Sequence, residues 1–320
     1  MALLRTLLAG ACACLLSAGA AAQAKDNGQP IRLIVPFGAG TSVDVIARDI
    51  AHEMRGMLDH PIVVDNKPGA AGMLGGAELA RTAATSTTFL VTIHNTVVIN
   101  PHLYKNMNYD PQRDFAPVGL VGVGGYALVA APSSFKSLEQ YLAEARAKPG
   151  KVAYGSYGVG SGPHMCAEML VARTKTRLVH VPFTTGSITS VVGGQVDSAW
   201  EPYATVAPFL KSGKLVVLGA STRYRPSIFP DNTPLLPDLV PGYECASWVG
   251  VFASAKAPQA AVQRMADALA RVSQQPEFRE RLLTNGYLPL SETPEQLRKR
   301  VAADTATWGK IVADTGVRLE

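Results

Sequence analysis

Charge is scarce in this chain of 320 residues: Asp, Glu, Lys and Arg together make up 17%, and aromatic residues only 7%. With 47% hydrophobic residues, neither shortage reaches that of a disordered chain, and 29 glycines without a fixed period exclude a collagen-like one. The balance is basic, at +5, yet no run of five like charges occurs and no basic stripe interleaves with aromatics. Nothing in that pattern tracks a phosphate backbone, so no nucleic-acid partner is expected. Cysteine is sparse, with four in all, and long apolar runs are confined to the first two dozen residues.

Those first residues have the layout of a secretory signal peptide. Arg5 precedes an Ala/Leu-rich stretch to Ala22, and Ala22-Gln23-Ala24 puts small residues at both cleavage positions, with the break before Lys25. A membrane anchor is disfavoured by the Ala and Gly content, and a lipoprotein by the lack of Leu three residues before Cys12 or Cys14. The mature chain is therefore expected in the periplasm, with 29 basic against 25 acidic residues once Arg5 has gone. Cys166 and Cys245 remain. An oxidising compartment permits a disulfide between them, while two buried, unpaired thiols is the alternative to which the sequence tips.

Apolar runs alternate with helix-period segments. Ile31 to Val35 reads as a strand, and Val43, Ile46, Ala47, Ile50, Ala51 and Met54 share one helix face. Strands at 62–64 and 89–93 flank a helix over 70–82, an order that implies a parallel sheet covered on both faces. A second series follows: strands at 126–129, 152–154, 178–181, 196–200 and 215–220, with helices at 137–147, 163–174 and 187–192. Pro-rich punctuation over 226–241 reads as a surface excursion without regular structure. A strand at 248–253 and helices at 260–274, 276–284 and 294–314 complete the chain, the helices packing back on the first lobe.

Catalytic signatures are missing. No Ser lies in Gly-x-Ser-x-Gly, no Gly-Lys pair is followed by Ser or Thr, and His52-Glu53 lacks the second His that a zinc protease needs. The six histidines show no metal-ligand spacing, so no metal and no cofactor are expected. Gly122 to Ala127 fits G-x-G-x-x-A, but a strand rather than a helix follows, so it reads as a crossing between lobes. What remains are two Gly/Ser/Thr-rich loops, Pro36 to Asp44 and Tyr154 to His164, each running from a strand into a helix N-terminus. Unpaired backbone N–H groups and a positive dipole end can hold a carboxylate there without Lys or Arg. Helix capping alone also explains Ser and Thr at such places.

The same residues resemble the Bug/TctC family of periplasmic solute-binding proteins, the receptors of tripartite tricarboxylate transporters. Pro30 to Phe37, Gly40 and Asp44 to Arg48 look like the family's opening motif. Asn66 to Gly72, Asn100 to Tyr104, Tyr109 to Val118, Lys148 to Ser156, His180 to Phe183 and Gly193 to Asp197 follow in order. The resemblance implies an α/β, two-lobed type II periplasmic-binding-protein fold. Each lobe would hold a mixed, mostly parallel sheet flanked by helices, with a hinged cleft between. It implies lobe 1 over 25–126 plus 247–320, lobe 2 over 127–246, and crossings near 126 and 246. Carried over as ligand-binding positions are Phe37, Gly38, Ala39, Gly40, Thr41, Ser42 and Asp44 from the first loop. Ser156, Gly158, Gly160, Ser161 and His164 come from the second, with Phe183, Thr184, Thr185 and Glu201 approaching from the same lobe. The implied partners are a small organic carboxylate and the membrane permease subunits, and the implied state is a monomer with no catalytic residue.

Departures from the family bear on specificity. Ala39-Gly40-Thr41 stands for Pro-Gly-Gly, Thr184-Thr185 removes a position that often carries Lys or Arg, and Glu201 replaces Asp. Thr85 to Thr88 lacks the Pro-Asp-Gly turn, remote from the cleft. Phe37, Tyr157, Phe183 and Trp200 point to an aromatic or semi-apolar acid, unless those rings only pack the lobes. The competing reading is an exported hydrolase or lyase using His164 with a nearby Ser, and a third is a receptor for a sensor kinase.

Overall fold

The computed structural model describes residues 29–82 and 87–319. The signal peptide expected over 1–24, and Thr85 and Ser86 of the altered turn, lie outside the described residues. Strand β1 (Ile31–Val35) pairs in parallel with β2 (Ile62–Asn66) and β3 (Thr88–Ile93). Leu33 and Ile34 are both fully buried, in different core clusters. Both faces of β1 are thus covered, which is why its sequence is a continuous apolar run instead of an alternation. Helix α1 (Ser42–Glu53) lays Val43, Ile46, Ala47 and Ile50 on one face, and α2 (Met73–Arg81) follows a short 3₁₀ turn. A π-helical turn, Asn95–Ile99, and a single turn, Asn100–Leu103, come after β3.

The central element is β4 (Phe115–Ala130), 16 residues long. Around it are α3 (Leu138–Ala147), β5 (Ala153–Ser156), α4 (Gly162–Thr174), β6 (Val179–Pro182), α5 (Ile188–Val192), β7 (Ser198–Pro202), α6 (Tyr203–Lys211) and β8 (Val216–Ala220). The chain ends with β9 (Ala246–Ser254), α7 (Gln259–Val272), α8 (Pro276–Thr284), β10 (Leu288–Glu292) and α9 (Pro294–Thr315), the last opened by a capping box at Thr293. The sheet order is β2-β1-β3-β9-β4-β7-β5-β6, with β8 and β10 also on β4. Up to Gly125, β4 pairs antiparallel with β9; from Tyr126 onward it pairs with β7 and β8. One strand therefore belongs to both lobes and changes partners at Gly125/Tyr126.

Two expectations are corrected. Cys166 and Cys245 are not free thiols: they form a disulfide, with Cα atoms 5.5 Å apart and a separation of 79 positions in sequence. Helix α4 runs beside the segment leading into β9, which brings the pair within bridging distance. The 226–241 segment is also more than a surface excursion. Phe229, Thr233, Leu236 and Val240 are buried, and Leu236–Leu239 forms a helical turn. Proline ends the flanking elements, but the apolar residues between prolines still seek the core.

Candidate functional site

The two glycine-rich loops have the same local construction. At the start of α1, Thr41 Oγ1 donates to the Gly38 carbonyl (2.8 Å) and accepts from the Asp44 N–H (3.4 Å). At the start of α4, Ser161 Oγ donates to the Gly158 carbonyl (2.7 Å) and accepts from the His164 N–H (3.3 Å). Gly40 and Gly160 precede these caps with φ of +81° and +78°, a region glycine enters without steric cost. The third helical residue then reaches back in each case. Asp44 Oδ2 accepts from the Gly40 N–H at 2.8 Å, and His164 Nδ1 from the Gly160 N–H at 3.0 Å. That leaves the first-turn N–H groups of Ser42, Val43 and Gly162 facing outward from two positive helix ends.

Both ends open into one cavity of about 750 Å³, lined from both lobes. A third helix N-terminus joins them: Tyr203, Ala204 and Thr205, the first turn of α6, also line it. No Lys, Arg, Asp, Glu or His is among the lining residues. Five tyrosines are, at positions 104, 126, 157, 203 and 287. Burial pushes the hydroxyls of Tyr126 and Tyr157 well above the ordinary tyrosine range, so at neutral pH both remain neutral, that of Tyr157 hydrogen-bonded to the Glu201 carboxylate. The Tyr203 hydroxyl is already engaged with Thr222, 2.6 Å from its Oγ1. Gly162 is glycine for space, because a Cβ there would run into the Tyr126 hydroxyl. Chemically the cavity offers outward N–H donors and neutral hydroxyls around an uncharged interior. That combination suits an anion with a semi-apolar body.

Of the expected positions, Phe37, Gly40, Thr41, Ser42 and Ser161 line the cavity. Gly38, Ala39, Gly158 and Gly160 shape the loops behind them. Asp44, 2% exposed, is occupied by Gly40, Asn66 and Arg48, so its carboxylate braces the first loop and its pKa is lowered despite burial. Glu201 is buried and accepts from the Ser187 N–H (2.7 Å) and Oγ (2.9 Å); desolvation raises its pKa. Thr184 and Thr185 are exposed and outside the lining, as is half-buried Phe183. Trp200 is fully buried against Tyr243, so of the four expected rings only Phe37 and Tyr157 face the cavity. Tyr104, Tyr126, Tyr203, Tyr287 and Asn95 were not expected from the sequence. They come from separate segments, and no local motif links them.

The histidine that the enzyme reading needs lies beneath the second loop. His164 stacks on His180 with centroids 4.0 Å apart, and burial depresses their pKa values to about 3 and about 4. Ser156 is fully buried and its Oγ meets His180 Nε2 at 2.7 Å, while Ser161 Oγ donates to the Gly158 carbonyl and touches His164 through its backbone N–H, not its ring. Neither pair puts a nucleophile and its base together in the cavity wall. Among the described residues no group of three His, Cys, Asp or Glu is placed to hold a metal, and no helix is long and apolar enough to cross a membrane.

A family model described as the tripartite tricarboxylate transporter family receptor matches residues 46–317. Protein BugT of Bordetella pertussis is 28% identical over 297 residues, covering 91% of each chain. Among solved structures, R. palustris Rpa4515 with adipate superposes with a TM-score of 0.81 at 26% identity, covering 90% of this chain and 97% of that one. MatC from Rhodopseudomonas palustris with bound malate gives 0.78 at 27%, covering 88% and 98%.

Proposed function

The chain belongs to the tripartite tricarboxylate transporter receptor family, and from that premise we propose that it captures a small organic carboxylate between its two lobes for delivery to the permease subunits of such a transporter. The observation that carries this reading is the convergence of three helix N-termini on an interlobe cavity without a charged side chain. Helix ends stabilise an anion through N–H donors and dipole, and they leave the ligand's remainder in a tyrosine-lined, neutral space. Relatives whose structures hold adipate and malate support the ligand class.

On this reading the lobes are 25–126 plus 247–320 and 127–246, supported by the partner change of β4 at Gly125/Tyr126 and the start of β9 at Ala246. Ligand docks on one lobe, the other closes over it, and the permease senses the closed population. The protein acts as a monomer in the periplasm after loss of residues 1–24, and it performs no chemistry on its ligand. Phe37, Gly40, Thr41, Ser42 and Ser161 form the carboxylate-holding wall.

The test is prolonged incubation of the protein with a saturating acid that binds it, followed by recovery of the acid. The receptor reading predicts stoichiometric retention and unchanged ligand. Conversion over many turnovers would overturn it in favour of an exported enzyme.

A further inference from the structure

Glu201 lies near the end of β7, pairs with Ala127 just past the partner change of β4, and is fully buried. Its two carboxylate oxygens have different partners. Oε1 accepts from the N–H and Oγ of Ser187, the residue before α5. Oε2 lies 3.5 Å from Thr205 Oγ1, which also donates to the Pro202 carbonyl at 2.8 Å. The Tyr157 hydroxyl bonds to the same carboxylate. Gly186 makes room for that meeting: a Cβ there would sit 2.7 Å from the Tyr157 hydroxyl oxygen and 3.1 Å from Glu201 Oε2.

Glu201 and Ser187 are outside the cavity lining, whereas Tyr157 and Thr205 belong to it. An ionised carboxylate only accepts, so Tyr157 is the donor, and a bond of this kind is stronger than one between neutral groups. The hydroxyl proton of Tyr157 is thereby committed behind the wall, and the side chain presents its ring to the cavity. A ring anchored at its hydroxyl as well as its backbone has little rotamer freedom left for binding to freeze. Resting on the carboxylate reading above, we infer that Glu201 is a positioning residue: it touches no ligand, and it fixes the Tyr157 ring as an apolar wall against the body of the bound acid. Through Thr205 the same carboxylate also reaches the first turn of α6, so the ring and the third helix end are set by one side chain.

The test is a double-mutant cycle in ligand affinity, read by titration calorimetry on full-length protein stripped of ligand by unfolding and refolding. The probes are 3-phenylpropanoate, hexanoate and adipate, and the cycle uses whichever binds the wild type most tightly. Tyr157→Phe keeps the ring and cuts its tether, and Glu201→Ala cuts the tether from the other side. Where Glu201→Ala does not fold, Glu201→Asp, which withdraws the carboxylate by one methylene, takes its place. Each single variant is expected to weaken binding about three- to tenfold, the cost of ordering one freed side chain. The double variant should bind within about twofold of the weaker single one, because the same tether is lost only once. A hydroxyl that contacted ligand directly, or a Glu201 that merely supported the fold, would give losses that add. Additive losses, or Tyr157→Phe binding as tightly as wild type, overturn the assignment and leave the carboxylate reading standing. Absence of wild-type binding by all three acids overturns both together.

Discussion

Thr41 and Ser161 do the same work at opposite walls of the cavity, each joining a glycine carbonyl to the third N–H of a helix. Removing either hydroxyl should therefore be felt in the unliganded protein: Thr41→Ala and Ser161→Ala are each expected to cost about 1 kcal/mol in denaturant unfolding. Gly162→Ala separates binding from capping. Its methyl group would meet the Tyr126 hydroxyl inside the cavity, so carboxylate affinity should fall at least about tenfold, read by calorimetry, while the cap stays in place. His164 makes the second loop sensitive to acid. Its Nδ1 accepts from Gly160 only when unprotonated, and the folded pKa of about 3 lies below the unfolded value near 6.5. A depressed folded pKa contributes stability that is full above about pH 6.5 and declines as pH falls toward 3. Stability should thus rise with pH across that window, and His164→Asn should flatten the slope measured by urea unfolding at each pH. Loop residues such as Thr41 and Ser161 were legible in the sequence because strand, glycines, hydroxyl and helix follow one another in a single stretch. Tyr157 was legible with its loop, but the other four tyrosines were not, since positions 104, 126, 203 and 287 meet it only after folding.

At the level of elements, periodicity located β1 and α1 well, because a run buried on both faces and a single apolar stripe leave clear patterns. It missed the first part of β4, where Pro117 and Gly119, Gly122, Gly124 and Gly125 break the strand pattern that pairing with β9 restores. Gly124 and Gly125 are small because Tyr287 and Tyr203 pack against them. Helix α6 was missed for a related reason: its cap is Pro202, without a capping side chain, and Pro208 lies inside it. So the third helix end in the cavity had no signature. The disulfide ties α4, whose N-terminus lines the cavity, to the segment entering β9. Closing a loop of that span is worth about 2–4 kcal/mol, so the Cys166→Ser, Cys245→Ser double variant should lose that much in equilibrium unfolding. Reductant should leave the variant's melting temperature unchanged while lowering that of the wild type.

Across the whole molecule, the basic net charge of +5 and the uncharged cavity are separate facts. Lys and Arg sit outside the lining, many in ion pairs such as Arg300–Glu292 and Arg281–Asp49, so anion capture falls to backbone dipoles. That claim separates a carboxylate from its amide, which has the same shape but no charge for the helix ends to hold. The direct measurement is a melting scan of ligand-free protein against mono-, di- and tricarboxylic and aromatic acids, each paired with its amide. At a hundred times Kd a bound acid adds about 2.7 kcal/mol of apparent stability. Capture by helix dipoles gives a clear upward shift with at least one acid and none with its amide; shifts equal for acid and amide, or no shift with any acid, rule it out.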